Sequence, residues 1–380
     1  MSYTIRALDL SLTLKHKSCF LFGPRQTGKT TLIKHSLKPD FFYNLLESDT
    51  YLSLSQNPAR LRQEITKPHS LVVIDEIQKI PSLLNEVQLL IEELKTKFLL
   101  TGSSARKLRQ GGENLLGGRA RHRHMHPLTY HELGKNFDLL KALNQGLIPS
   151  IYFSDAPQED LASYIGDYLQ EEIAHEGLTR NIPAFSRFLE VAALCNGQII
   201  NFSNIGNDAQ VPRTTIHEYF QILKDTLIAH ELEPWKKTKK RKPLSTSKFY
   251  LFDIGVIRHL QSSSPLRIKS PEFGIAFESY LFHELQTYCD YTQKGRLHYW
   301  RSTSNFEVDF IINDEVAIEV KGKENITDKD LAGLKALSEE NILKKFFLIG
   351  LVPRPRHIGN ISVLPWKTFL EMLWAGDIVI

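Results

Sequence analysis

The sequence has few cysteines, no long hydrophobic run and no low-complexity tract. Its three cysteines, Cys19, Cys195 and Cys289, lie far apart in 380 residues, which excludes a disulfide scaffold or a cysteine-rich zinc site and favours a reducing cytoplasm. The longest apolar run, Phe346–Val352, is far shorter than the roughly 18 residues that a membrane helix needs. The N-terminus lacks the apolar centre of a secretory signal. We therefore expect a cytoplasmic protein without a membrane partner.

The composition is that of a folded globular protein, and the length predicts two or three domains. Hydrophobic residues make up 42% and charged residues 24% of the chain, and the net charge is +4. The positive charge is concentrated in Trp235–Lys248, with seven Lys or Arg and no acidic residue, and in Arg119–His126. Such blocks indicate either a solvated loop or a polyanion partner.

The chain falls into three segments, 1–150, 151–245 and 246–380. The first alternates strands with helices such as Ser82–Lys95, a pattern that predicts a parallel sheet covered on both faces. The second is mostly helical, and the third returns to mixed α and β. The basic block lies at the join between the last two, where an exposed linker is expected. We expect the strands of the first segment at Ser18–Phe22, Phe41–Leu45, Ser70–Ile74 and Phe98–Thr101.

A phosphate-binding motif, G-x-x-x-x-G-K-T, follows the first strand and opens a helix. Its backbone amides and the helix N-terminus are expected to face the phosphates of ATP. Lys29 is expected to reach the β- and γ-phosphates, and the Thr30 hydroxyl to bind Mg²⁺. The candidate nucleotide-binding residues of this loop are Gly23, Pro24, Arg25, Gln26, Thr27, Gly28, Lys29, Thr30 and Thr31.

Two carboxylates, Asp75 and Glu76, follow the buried strand Ser70–Ile74. Ligands of α/β sheets bind at the carboxyl ends of the strands, so both groups are expected near the phosphate loop. We assign Asp75 to Mg²⁺, which it would hold through water, and Glu76 to the general base that activates the attacking water.

The strand Phe98–Thr101 leads into polar residues, of which Ser103 is a candidate for sensing the γ-phosphate; a helix-capping serine is the alternative. This order of strands resembles the AAA+ branch of P-loop ATPases. Arg119 is the candidate arginine finger, in competition with Arg106 and Arg121. A finger that acts in trans would make the working unit a homo-oligomer. His122, His124 and His126 alternate, which fits a basic edge strand or a metal site.

The middle segment has the pattern of a winged helix-turn-helix. A short helix at Asn201–Asp208 and a second at Pro212–Lys224 precede a strand at Leu227–Leu232, which would form the wing. The exposed start of the second helix is the part that contacts nucleic acid in such domains, although many winged helices only join proteins. The candidate contacts are Arg213, Thr214, Thr215 and His217, with Lys239, Lys240 and Arg241 of the basic block.

The third segment carries a carboxylate–lysine pattern. Strands at Phe306–Asn313 and Val316–Lys321 form a predicted hairpin that brings Asp309, Glu319 and Lys321 together on one face. Two carboxylates suit Mg²⁺, which could activate water while Lys321 neutralises a scissile phosphate. Glu278, on a predicted helix at Glu272–Cys289, is a candidate further ligand. The alternative is a surface hairpin with alternating charges.

The spacing D-x₉-E-x-K, with an upstream helical Glu, resembles the PD-(D/E)XK nuclease superfamily, although Val308 replaces the expected proline. The stretches GPRQTGKT, LVVIDEIQKIP, FYLFDIG, FEVDFII and AIEVKG together resemble a prokaryotic family of predicted AAA+ ATPases with a nuclease-like C-terminal domain. The resemblance covers about Cys19 to Gly350. It implies a P-loop (AAA+/ASCE) parallel-sheet domain, a helical winged-helix domain and a restriction-endonuclease-like α/β domain, with ATP and Mg²⁺ as cofactors.

Three functions fit these features. The first is an ATP-hydrolysing enzyme that cuts nucleic acid, DNA more than RNA. The second is a nucleotide-controlled DNA- or RNA-binding switch or scaffold whose nuclease-like domain is inactive. The third is a protein-remodelling ATPase, in which the basic block and the winged helix have no required task.

Overall fold

The computed structural model describes residues 3–104, 106, 108, 116–169 and 181–379. The chain divides into two compact units. One comprises Ser2–Pro127 with Ile222–Ile228, and the other comprises Leu128–Gln221 with Ala229–Ile380. The predicted middle and C-terminal segments therefore fall largely in one unit, and the three-domain division stays a prediction. No described helix is both long enough and apolar enough to cross a membrane.

The first unit is built on a five-stranded parallel sheet in the order β2-β3-β4-β1-β5. The parallel sheet that we predicted is confirmed, and the four predicted strands agree with it to within one residue at each end. The strands are β1 Ser18–Phe22, β2 Phe41–Asn44, β3 Leu71–Asp75, β4 Lys97–Gly102 and β5 Ala120–His124. The helices of this unit are Ser11–His16, Lys29–Ser36, Ser48–Gln56, Arg60–Glu64 and Leu83–Leu94, with 3₁₀ turns at Ile77–Lys79 and Leu116–Gly118.

Because the strands are parallel, the loops that follow β1, β3 and β4 all lie at the carboxyl end of the sheet. β4 lies between β1 and β3, so its carboxyl end lies between the end of β1, which leads into the phosphate loop, and the end of β3, which carries Asp75. All five residues of β1 are buried, because a parallel sheet is covered on both faces. The helix Leu83–Leu94 covers the sheet with an apolar stripe that includes Leu83, Val87 and Leu90.

The second unit contains a six-stranded mixed sheet in the order β12-β13-β11-β10-β9-β8 and a separate antiparallel pair, β6-β7. β8, β9 and β10 run antiparallel in sequence, whereas β10 and β13 each pair parallel with β11. The strands are β6 Ala229–Leu232, β7 Lys248–Leu251, β8 Leu297–Arg301, β9 Glu307–Ile312, β10 Val316–Lys321, β11 Lys345–Gly350, β12 Arg356–Ile358 and β13 Ile361–Pro365.

Helices make up most of the rest of this unit. The long helix Phe273–Thr292 contacts β8 and β10. The helical prediction for the middle segment includes residues 170–180, which lie outside the described residues. The described α-helices are Tyr130–Leu133, Leu139–Gln145, Pro149–Tyr152, Pro157–Ser163, Ile182–Leu194, Phe202–Ala209, Arg213–Asp225, Ile254–Leu260, Phe273–Thr292, Ala332–Ser338 and Trp366–Ala375. The last four residues of the helix Arg213–Asp225 belong to the first unit. A π-helix spans Tyr164–Leu169, and 3₁₀ turns lie at Gly134–Asn136 and Asp328–Leu331.

The helix pair Phe202–Ala209 and Arg213–Asp225 begins and ends within one residue of the prediction. Gly206 allows the tight turn between them, because a Cβ at this position would lie 2.7 Å from the carbonyl oxygen of Val211. β6 follows, and it pairs with β7 rather than forming a short hairpin. The basic block belongs to the long connection between these two strands.

Candidate active sites

The phosphate loop turns from β1 into the helix Lys29–Ser36, and two glycines are needed for its path. A Cβ on Gly23 would lie 2.4 Å from the carbonyl oxygen of Met125, and Gly28 has a φ of 96°, in the left-handed region. Thr27 Oγ1 donates a hydrogen bond of 2.8 Å to the Pro24 carbonyl across the loop. Arg25 and Gln26 are exposed at its tip. The loop therefore has the tight backbone curvature that a phosphate cradle requires.

Lys29 and Thr30 lie at the start of that helix. The Lys29 ammonium donates to the carbonyl oxygens of Gly23, at 2.7 Å, and Pro24, at 3.0 Å, so it lies over the loop. Thr30 Oγ1 donates to Asp75 Oδ2 at 2.8 Å. Thr31 is exposed. The structure thus brings together the lysine, hydroxyl and carboxylate that the sequence predicts for nucleotide and Mg²⁺.

Asp75 is buried, and both of its carboxylate oxygens accept hydrogen bonds from hydroxyl groups. Thr30 donates to one oxygen, and Thr101 Oγ1, at the end of β4, donates to the other. Hydroxyl and carboxylate oxygens beside a lysine fit Mg²⁺, which prefers oxygen ligands and keeps several waters. Thr30 and Asp75 are the residues that would hold the ion. Thr101 fixes the orientation of Asp75, a role that sequence reasoning did not assign.

Glu76 follows Asp75 with a φ of 62°, so the chain turns sharply at the end of β3. Gln78 Nε2 donates to Glu76 Oε2 and, at 3.4 Å, to Ser103 Oγ, which links the candidate general base to the candidate sensor. Burial raises the pKa of Glu76, while the Lys29 charge and the Gln78 hydrogen bond oppose that increase. Sequence reasoning missed Gln78, although it lies only two residues beyond Glu76.

Arg6 is a second residue that sequence reasoning missed. Its buried guanidinium donates to the carbonyl oxygens of Thr27, at 2.6 Å, and His126, at 2.6 Å, and to Pro127 at 3.2 Å. It therefore ties the phosphate loop to the chain that follows β5. No motif surrounds Arg6, and its contacts join residues far apart in sequence, so local patterns carry no signal for it.

The candidate arginine fingers have partners within the first unit. Arg119 pairs with Glu92 at 2.7 Å, and Arg106 pairs with Asp225 at 2.6 Å. Arg121 is exposed on β5. A finger at Arg119 would have to leave Glu92, so this assignment stays a prediction.

The predicted histidine strand is β5, which ends at His124, so His126 lies beyond it. The His122 ring stacks on Phe20, with ring centroids 5.1 Å apart. Among the described residues, no three His, Cys, Asp or Glu side chains form a group that could hold a metal ion. Of the two interpretations of these histidines, the edge strand is the one that agrees with the structure, since β5 lies at the edge of the sheet.

The carboxylate–lysine centre lies on the β9–β10 hairpin. Lys321 Nζ lies 2.5 Å from Glu319 Oε1, and Asp309 Oδ2 accepts a 2.8 Å hydrogen bond from the backbone N–H of Val320. Burial and the neighbouring Asp309 charge raise the pKa of Glu319. Burial lowers the pKa of Lys321, but the Asp309 and Glu319 charges outweigh it and raise the pKa overall. The structure therefore brings the predicted trio together.

Asp309 and Glu319 fit a divalent cation. Glu319 Oε2 is buried and accepts no hydrogen bond from the described residues, which leaves a carboxylate oxygen available to a metal ion. Two carboxylates are enough for Mg²⁺, which retains waters. Glu278 as a further ligand stays a prediction, and its charge interacts with those of Asp309 and Glu319.

Glu278 instead contacts two residues of β7 that sequence reasoning missed. Tyr250 Oη donates to Glu278 Oε1 at 2.7 Å, and Lys248 Nζ lies 3.9 Å from the same oxygen. Lys248 is also paired with Glu307 at 2.7 Å. Burial and the Asp309 charge raise the pKa of Glu278 to about 7. The sequence did carry one signal for this contact, since Lys248 begins an otherwise apolar strand.

The candidate nucleic-acid contacts lie at the start of the helix Arg213–Asp225, and their role stays a prediction. Arg213 and Thr214 are exposed and Thr215 is half-buried. His217 stacks on Phe202, with ring centroids 3.7 Å apart. Arg213 and His217 line a cavity of about 600 Å³. Its lining includes Asn201, Phe202, Ser203, Arg213, His217 and Thr246.

The basic block is not the exposed linker that we expected. The backbone amides of Lys239, Lys240 and Arg241 donate to the Glu340 carboxylate at 2.8, 2.9 and 3.1 Å. The Arg241 guanidinium pairs with Glu339 at 2.5 Å. Pairing of β6 with β7 holds both ends of the segment, so its backbone lies on the second unit. Arg241 is therefore an anchor, while the side chains of Lys239 and Lys240 remain exposed.

Comparison with known families identifies the first part of the chain. Residues 15–134 match a family described as AAA domain. This region is similar to AAA domains. That similarity and the Lys29–Thr30–Asp75 geometry indicate nucleotide binding. Residues 136–270 and 273–369 match two families, each described as a domain of unknown function, DUF8612 and DUF4143.

Three relatives of this protein are described as uncharacterized proteins. A protein from Mycobacterium tuberculosis and one from Mycobacterium bovis are each 26% identical over 302 residues, which cover 77% of this chain. The match spans 66% of each relative, slightly less than two thirds of its length. A protein from Haemophilus influenzae is 24% identical over 317 residues, covering 77% of this chain and 75% of the relative.

Two solved structures are similar at low TM-scores. The Aeropyrum pernix ORC1 protein in complex with DNA gives a TM-score of 0.25 at 12% identity and covers 68% of this chain and 94% of its own. Can2 from Sulfobacillus thermosulfidooxidans, in complex with cyclic tetra-adenylate, gives 0.24 at 12% identity and covers 89% and 99%. Neither similarity is close enough to bear on function.

Proposed function

We propose that this protein hydrolyses ATP at the phosphate loop and cuts nucleic acid, DNA more than RNA, at the carboxylate–lysine centre. One observation carries the proposal. Thr30, which follows Lys29 in the phosphate loop, and Thr101 both donate hydrogen bonds to Asp75. This arrangement supplies a cation for phosphate oxygens and two oxygen donors for Mg²⁺.

Glu76 is the proposed general base of ATP hydrolysis. A base works best when its pKa lies near the operating pH, and burial moves the pKa of Glu76 upwards, towards that range. Gln78 orients the carboxylate through its hydrogen bond and connects it to Ser103. Mg²⁺, when bound, neutralises phosphate charge.

The cleavage half of the proposal rests on Asp309, Glu319 and Lys321. The two carboxylates would hold Mg²⁺, which supplies a polarised water when bound. Lys321 is close enough to Glu319 to orient it and to neutralise charge on a scissile phosphate. The β9–β10 hairpin and the long helix Phe273–Thr292 support a restriction-endonuclease-like fold for this region.

Nucleic acid is proposed to bind at the start of the helix Arg213–Asp225 and along the basic block. The helix pair followed by β6 supports a winged-helix assignment, in which Arg213, Thr214 and Thr215 contact the strand. Exposed lysines of the basic block, including Lys239 and Lys240, add phosphate contacts. A homo-oligomer would follow if Arg119 completes the ATP site of a second copy.

A nucleotide-controlled binding switch is the second candidate. The engagement of Glu278 Oε1 by Tyr250 and Lys248 favours it, because one oxygen of this candidate ligand is then committed to protein partners. In this alternative the AAA-type domain controls nucleic-acid affinity and no strand is cut.

The nucleotide half is tested by measuring ATP binding and turnover with and without added DNA or RNA. Lys29→Ala should abolish turnover, whereas Lys34→Ala, an exposed lysine on the same helix, should not. Glu76→Gln should keep ATP bound and slow turnover by about 10²–10⁴-fold. Normal turnover in Lys29→Ala would overturn the assignment, and turnover indifferent to nucleic acid would favour the protein-remodelling alternative.

A further inference from the structure

Two lysines lie among the buried carboxylates around the β9–β10 hairpin, and each defines a group with the carboxylates that it contacts. Lys321 lies with Asp309 and Glu319, as described above. Lys248 lies with Glu278 and Glu307. The four carboxylates come from one helix and two strands, whereas Lys248 comes from β7, outside the six-stranded sheet.

Lys248 is held firmly in its group. It is only 3% exposed, and its ammonium lies 2.7 Å from Glu307 Oε1 and 5.2 Å from the centre of the Tyr299 ring. Its strand neighbour Tyr250 projects to the same side and donates to Glu278. Because Tyr250 and Lys248 share Glu278 Oε1, that oxygen is already committed to protein partners.

The group around Lys321 differs from the group around Lys248, because one of its carboxylate oxygens has no hydrogen-bond donor among the described residues. Glu319 Oε2 is buried without a hydrogen-bond donor among the described residues. An unsatisfied buried carboxylate oxygen is costly unless a cation meets it. The need for a cation is therefore concentrated on the Asp309–Glu319 side of the centre.

We propose that the centre binds a single divalent cation, between Asp309 and Glu319, and that the Lys248 ammonium takes the place of a second cation beside Glu278 and Glu307. This inference rests on the proposed function and specifies its metal requirement. Lys248 is a positioning residue: it acts on the reaction through Glu278 and Glu307, which it keeps away from the metal ion.

The charge balance explains why a second ion is excluded. A divalent ion at Glu278 and Glu307 would have to lie against the Lys248 ammonium, and like charges repel strongly where water is excluded. Removal of the ammonium would leave two neighbouring carboxylates facing each other, the arrangement that attracts a cation. Lys248→Met should therefore create a second site.

The test counts Mn²⁺ ions bound to the full-length protein, by calorimetry and electron paramagnetic resonance, without nucleotide or nucleic acid. All proteins carry Asp75→Asn, so that the phosphate-loop site does not contribute. The parent should bind one Mn²⁺, and Asp309→Asn should bind none. Lys248→Met should bind two, while Lys248→Arg, which keeps the charge, should bind one.

Glu278→Gln keeps the test decisive if Lys248→Met does not fold. It should retain one Mn²⁺ with less than about a tenfold change in affinity, that is, within roughly 1.4 kcal/mol. Two Mn²⁺ ions in the parent, or loss of Mn²⁺ from Glu278→Gln, would overturn the inference. The ion count needs no substrate, so it is independent of the cleavage assay. A protein that binds one ion but cuts no strand would overturn the proposed nuclease activity and leave this inference intact.

Discussion

Glu284 shows how far burial changes a single residue of this protein. It is fully buried on the helix Phe273–Thr292, and its Oε1 accepts a 2.7 Å hydrogen bond from the backbone N–H of Tyr130. Burial raises the pKa of Glu284 from 4.5 to about 8, although the hydrogen bond from Tyr130 opposes the increase. The carboxyl group is therefore protonated in the folded protein at neutral pH and ionised in the unfolded chain.

Glu284→Gln should remove a pH-dependent loss of stability. Between about pH 4.5 and pH 8 the folded state binds the extra proton, so the free energy of unfolding falls as the pH rises, by at most about 1.4 kcal/mol per pH unit. Glutamine lacks this proton and can still accept from Tyr130. Urea unfolding at pH 6 and pH 8 should show a smaller loss in Glu284→Gln than in the wild type.

Glu324→Gln, at an exposed position, serves as the control and should behave as the wild type. An equal loss of stability in Glu284→Gln and the wild type would mean that Glu284 does not carry a raised pKa.

Residues within contiguous motifs could be predicted from the sequence, while those that meet only through the fold could not. Lys29 and Thr30 follow from the spacing of one loop, and Asp75 follows from the end of one strand. Arg6 and Lys248 reach their partners only through tertiary packing, so no spacing marks them. The ion pair of Arg241 with Glu339 could not be predicted, because the charge of Arg241 is visible in the sequence but its partner is not. Its contact with nucleic acid stays a prediction.

At the scale of elements, periodicity was a good guide to strands and helices. β8 and β10 have the predicted bounds, because apolar residues either alternate with polar ones or follow one another along each strand, and turn residues flank both strands. The pairing of β6 with β7 was not predicted, since the two strands are separated by a long polar connection. That pairing is what converts the expected linker into a segment fixed on the second unit.

The basic block gives a prediction at this scale. Lys236, Lys239 and Lys242 are exposed, so replacing all three with Glu should weaken nucleic-acid binding. Each lost phosphate contact should reduce the slope of log affinity against log salt by about 1, or about 3 in total. A salt titration of binding to labelled DNA and RNA measures this slope.

The matched control reverses three exposed lysines elsewhere in the same unit, Lys135, Lys294 and Lys329. It has the same net charge as the test variant. If both variants lose the same affinity and slope, net charge alone governs binding and the basic block is not an interface.

At the scale of the whole molecule, two buried carboxylate centres lie in different units. Asp75 belongs to the unit that contains the five-stranded sheet, and Asp309 belongs to the unit that contains the six-stranded sheet. Each centre has a lysine and at least two oxygen donors suited to Mg²⁺. The account therefore predicts two separable activities, ATP turnover at one centre and strand cleavage at the other.

The most direct test records ATP turnover and the integrity of labelled DNA and RNA in the same Mg²⁺-containing reaction. The account predicts that Asp309→Asn retains ATP turnover but leaves strands intact, whereas the wild type and Asp328→Asn, at an exposed aspartate, cut them. Strands cut equally well by Asp309→Asn, or left intact by the wild type on every substrate, would contradict it.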